Sequence, residues 1–176
     1  MDGFVLGFII SLITAAIVYL IIRKVTEGKG LKGATFDERQ EQSRGKGYKY
    51  GFFALIYGII ALILLSEAHV ALPVSGSLAL FIVAMLGIDV YACYSIMNDA
   101  YFGITTKRTA YIIVLVLAEI ANVIGAYFML KDGGFEGGVL DLSHGANLCV
   151  AIGFAPILAT LAAKAMSDRR DADEES

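Results

Sequence analysis

Residues 23–49 read RKVTEGKGLKGATFDERQEQSRGKGYK, and the fold turns on what flanks them. This stretch holds eight of the chain's fourteen Lys and Arg residues. On either side the apolar residues, 57% of the whole chain, fall in long unbroken runs instead of the short periodic patches of a soluble core. Lipid is therefore the expected solvent. Five spans are expected at about 4–22, 50–66, 77–98, 109–130 and 145–163, each near the ~20 residues that carry a helix across the hydrocarbon layer. The second is the shortest. The first follows Met1, Asp2 and Gly3 without a basic stretch and is too long for a signal-peptide core, so it is expected to be retained.

The expected architecture is an all-α polytopic transmembrane helix bundle, a single domain over 1–166 with a polar segment at 23–49 and an acidic, disordered tail at 167–176. Orientation follows from the basic residues. With the amino terminus outside and the carboxyl terminus in the cytoplasm, the inner segments hold thirteen Lys and Arg and the outer ones only Lys131. Lines of small residues, Gly7, Ser11 and Ala15 in the first span and Ala151, Ala155, Ala159 and Ala163 in the last, let helices approach closely. Cys93 and Cys149 lie inside apolar runs at depths differing by roughly 18 Å at 1.5 Å per residue, which excludes a bridge within one chain.

Within the polar segment, residues 27–33 are glycine-rich and lack the Gly-Lys-Ser/Thr ending of a phosphate loop. From Thr35 the pattern Thr35-Phe36-Asp37-Glu38 fits a capping box, and a cytoplasmic helix is expected, with a bend at Gly45 and Gly47 before the second span. Asp37, Glu38, Arg39, Arg44 and Lys46 on that helix are candidates for docking a protein partner or touching lipid headgroups.

The run Asp37-Glu38-Arg39-Gln40, followed by Arg44 and an apolar span, resembles the DERQ segment of small uncharacterised multi-pass membrane proteins of Gram-positive bacteria. Such proteins are often encoded beside small helix-turn-helix regulators. The resemblance covers about a fifth of the chain. It implies a multi-pass protein of the bacterial plasma membrane and carries over no activity.

Two carboxylates fall inside expected spans, where an ionised Asp costs ~2.5–3.5 kcal/mol at a helix centre. Counted along their helices, Asp89 lies roughly 18 Å and Glu119 roughly 15 Å from the outer boundary. Their spans are consecutive and antiparallel, so the two acids are expected to meet and to keep at least one proton between them. Tyr57 and Asn122 are expected hydrogen-bond partners. The same pair is consistent with interhelical hydrogen bonds, with a proton or cation site, or with a contact to a partner's membrane helix.

His69 and His144, near Glu67 and Asp141, read as interfacial histidines, with no metal site expected. No nucleophile–base or metal constellation and no loop of catalytic size is visible, so neither an enzyme nor a cofactor is expected. The leading expectation is an interaction or accessory subunit, possessing a protein partner or forming a homo-oligomer in the bilayer, without direct nucleic-acid contact. The alternative is a small proton- or cation-coupled transporter or channel-like subunit built on Asp89 and Glu119.

Overall fold

The structure is a computed structural model of the chain and describes residues 35–104, 106, 108–131 and 138–174. Four helices follow one another: α1 (Glu38–Glu67), α2 (Gly76–Met97), α3 (Arg108–Lys131) and α4 (Leu142–Glu174). The chain is all-α, and all four helices are long and apolar enough to cross a membrane. The expected span at 4–22, with Gly7, Ser11 and Ala15, lies outside the described residues, as does the glycine-rich stretch 27–33. The chain divides into two compact units, Met1–Thr35 with Ile104–Thr106 and Phe36–Gly103 with Lys107–Ser176. In the first, the Ile104 N–H donates to the Thr35 carbonyl at 2.8 Å. The second contains the four helices.

α1 starts two residues later than the Thr35 register requires. Asp37 is its N-cap: the Gln40 N–H donates to Asp37 Oδ1 at 2.6 Å, and the Asp37 N–H donates to Gln40 Oε1 at 3.3 Å. Both registers offer the four-residue spacing of a reciprocal cap. The observed one leaves the Gln40 amide nitrogen free to donate to the Asp99 and Phe102 carbonyls, at 2.6 and 3.3 Å, which a Glu38 carboxylate could not do.

The helix does not bend at Gly45 and Gly47. It runs unbroken for 30 residues, so the polar stretch and the expected short second span are one element. Gly47 serves packing instead: a Cβ there would come within 2.9 Å of Ser95 Oγ on α2. One turn later α1 and α2 touch through their backbones, where a Cβ on Gly51 would lie 2.6 Å from the Gly87 carbonyl oxygen. In lipid such close approach replaces the hydrophobic effect as the source of helix association. Tyr48 stacks on Tyr91 at 4.3 Å beside this crossing.

The four helices form an open row in the order α1, α2, α4, α3, each packing only on its neighbours in that order. They do not close into the expected bundle among the described residues. α2 and α4 run parallel. At one end Val74 and Leu140 make a parallel bridge, with the Ser75 N–H donating to Leu140 and the Leu140 N–H to Pro73. At the other end Lys164 Nζ lies 3.0 Å from Asp99 Oδ2.

Leu78, Met129 and Leu140 are buried together near the first end, and Ala92, Ile96 and Ile157 near the second. α1 and α3 expose large apolar side chains such as Phe52, Leu64, Val114 and Leu117, as lipid-facing helices do.

α4 continues through Glu174, so residues 167–174 are helical and not the disordered tail expected from their charge. Lys164 bridges to Asp168 one turn on, at 3.0 Å, and this pairing helps carry the helix past its apolar part. The line Ala155, Ala159 and Ala163 is exposed; the face of α4 that packs carries Gly145, Gly153 and Ile157.

The two environments of glycine in α1 predict opposite signs for one substitution. Gly51→Ala is expected to lower stability by about 1–3 kcal/mol through overpacking against Gly87. Gly45→Ala, with nothing within 4 Å, is expected to raise it by about 0.5–1 kcal/mol through helix propensity. Thermal unfolding of the two variants in the same detergent checks this, and equal shifts would contradict the Gly51–Gly87 contact.

Candidate functional site

Between the pinned ends of α2 and α4 lies a groove of about 440 Å³. Leu78, Met85, Leu86, Leu148, Ile152 and Pro156 supply most of its apolar wall, and Asp89 is its charged residue. Asp89 Oδ1 is buried and has no hydrogen-bond partner among the described residues. Gly153 brings the α4 backbone beside Met85 and Asp89 here. A Cβ there would meet Met85 Cε at 2.7 Å and Asp89 Oδ2 at 3.5 Å.

Pro156 lies one turn beyond Ile152 inside α4 and has no N–H to give to the Ile152 carbonyl. The groove therefore combines an apolar wall, a carboxylate without a donor and a helix turn short of one donor.

The expected meeting of Asp89 and Glu119 does not occur. α2 and α3 make no direct helix packing, because α4 stands between them. Glu119, on α3 and away from the groove, has its Oε2 buried without a hydrogen-bond partner among the described residues. The short 98–107 connection suggested adjacency, but α4 returns parallel to α2 and takes that place.

Neither expected partner serves the acids. Tyr57 is 65% exposed and stacks on Phe53, while the Asn122 amide donates to the Ala118 carbonyl at 2.8 Å within its own helix.

The polar end of α1 is partly used inside the chain. Asp37 caps the helix and Gln40 is buried. The Arg44 guanidinium sits 3.8 Å over the Phe36 ring and contacts Tyr48 Oη at 3.4 Å. Glu38, Arg39 and Lys46 remain exposed. Of the docking candidates, these three present free charge; Gln40, the residue that ties the segment down, was visible in the sequence only as the residue three places after Asp37.

At the opposite end, Asp141 caps α4. It accepts the His144 N–H at 2.9 Å and the Ser143 hydroxyl at 2.8 Å, with His144 Nδ1 also 2.8 Å away. These bonds favour the ionised carboxylate and hold it down at about 2, below its ordinary 3.8. Asp141 and His144 thus form a helix cap, and among the described residues no group of three or more His, Cys, Asp or Glu could hold a metal ion. Cys93 and Cys149 are free thiols; Cys93 accepts from the Thr160 hydroxyl at 3.3 Å.

Comparison of the chain with known protein families, with curated proteins and with solved structures finds no match.

The depressed Asp141 carboxyl sets a direction for acid stability. Its contribution is complete above about pH 4 and is lost as the pH falls through about 2, because the folded state releases that proton more readily than the unfolded chain. Asp141→Ala is expected to be less stable at neutral pH and to lose less stability than the parent between those values. Unfolding curves across that range check it, and parallel pH profiles would contradict the cap.

Proposed function

We propose that this chain is a non-enzymatic multi-pass protein of the bacterial plasma membrane, an accessory or regulatory subunit that engages a cytoplasmic partner through residues 35–49. The observation that carries this reading is the continuity of α1. Its charged first turns are covalently one helix with its apolar part, and Gln40 ties them to the 98–102 turn. Glu38, Arg39 and Lys46 therefore present their charges from a preorganised surface, which lowers the ordering cost of binding.

The open row adds support. Its exposed apolar faces suit lipid and leave room for a further subunit or a second copy. The topology we propose keeps the amino terminus outside and five spans, with 4–22 as the first. Arg39, Lys46, Lys49, Lys164, Arg169 and Arg170 belong to the helix ends that Gln40 and Asp99 draw together, in keeping with the excess of basic residues on cytoplasmic sides.

A second reading, a small proton- or cation-coupled transporter or channel-like subunit, is favoured by the buried, unpartnered oxygens of Asp89 and Glu119. In this form each acid acts alone.

Reversing charge at Arg39 and Lys46 together is expected to abolish co-purification of the partner from native membranes without shifting the unfolding temperature. Arg44 is avoided because it packs on Phe36. Undiminished co-purification by the double variant would remove the docking role.

For the topology, a single cysteine in a cysteine-free background reports sidedness. His69→Cys is expected to react with an impermeant maleimide in intact cells and Lys46→Cys only after lysis; the reverse pattern would invert the orientation.

A further inference from the structure

We propose that the groove between α2 and α4 is a binding site for a single-chain amphiphile with a cationic amine head, the head at Asp89 and the hydrocarbon chain along the apolar wall. The proposal gives the second reading above a ligand class and is independent of docking through residues 35–49.

The shape selects a chain. The wall runs from Leu78 to Asp89 on α2 and from Gly145 to Pro156 on α4, stretches of equal length on parallel helices, each roughly 17 Å at 1.5 Å per residue. A volume of about 440 Å³ spread over that length is narrow, and it suits one extended chain better than a fused ring system.

The chemistry selects the head. A hydrocarbon tail alone would fill the wall and leave Asp89 Oδ1 buried without a donor. A carboxylic acid or phosphate head would set like charge against Asp89. A bare metal cation would find one carboxylate and an apolar surround, far short of the oxygen ligands that hard cations require.

An ammonium brings several donors and a complementary charge in a setting of low dielectric, where a charge-assisted hydrogen bond is strong. Pro156, on the same wall, leaves the Ile152 carbonyl without its usual helical donor. A carboxylate without a donor at one end of an apolar slot is the complement of an alkylamine.

The test uses the full chain in phosphatidylcholine nanodiscs and radiolabelled dodecylamine, with empty nanodiscs as background. Saturable binding at one site per chain is expected. Unlabelled dodecylamine should displace the label at least about tenfold better than dodecanol, the difference a charge-assisted hydrogen bond supplies, and dodecanoic acid should be weaker still. Asp89→Asn should weaken the amine by a similar factor and leave dodecanol unchanged.

Ile152→Phe narrows the slot from an exposed position and should weaken amine and alcohol together; it serves as the second variant should Asp89→Asn not fold. Non-saturable uptake equal to that of empty nanodiscs, or equal displacement by amine and alcohol, would overturn the proposal. Binding is read at equilibrium without a gradient. Its failure therefore leaves proton or cation coupling at Asp89 to be judged separately by flux.

Discussion

Asp99 joins three of the four helices. Its backbone carbonyl accepts from Gln40 of α1, its carboxylate pairs with Lys164 of α4, and it directly follows the C-cap of α2. It holds a left-handed conformation, φ 53, which Asp tolerates better than most side chains. The turn made there lets Ala100, fully buried, donate back to the Ser95 carbonyl at 2.7 Å. Without this turn, α1 would keep its glycine contact with α2, but nothing would set its polar turns against the end of the row.

The groove follows from where the row is fastened. α4 is fixed to α2 by backbone hydrogen bonds at Pro73–Ser75 and Leu140, and by the Asp99–Lys164 pair at the far end. Between those points Gly145 and Gly153 allow close approach, and the larger side chains line the groove beside the contact. In water the exposed apolar wall would favour collapse. In lipid, apolar tails solvate it as well as another side chain would, so the opening costs little.

Helix existence and approximate extent were legible because twenty apolar residues in lipid leave the backbone few other ways to satisfy its hydrogen bonds. The apolar parts of α2, α3 and α4 lie where residues 77–98, 109–130 and 145–163 were read as spans. What was not legible is the order of the helices in space. Loop length marks Asp89 and Glu119 as carried by successive helices, but it carries no information on whether α4 inserts between them. That depends on Val74 and Leu140 pairing across more than sixty residues of chain. The cap and the glycines failed in a different way. Thr35 and Asp37 both fit the cap pattern, and Gly47 reads equally as a bend or a contact until Ser95 stands opposite it.

The separation of the two acids changes what each can be asked to do. A facing pair could share a proton and satisfy itself, and neither carboxyl would then need anything outside the chain. With α4 between their helices, neither has that recourse. Tyr57 turns to the exposed face and Asn122 spends its amide on its own helix, so the polar groups closest in sequence offer no relief. An unsatisfied carboxyl in an apolar setting is costly, and the helix packing keeps Asp89 in that state at the end of a slot shaped by Gly153 and Pro156. A structural tie would have used a donor from the neighbouring helix; α4 sets the Gly153 backbone beside both Met85 and Asp89, and among the described residues no donor reaches Asp89 Oδ1.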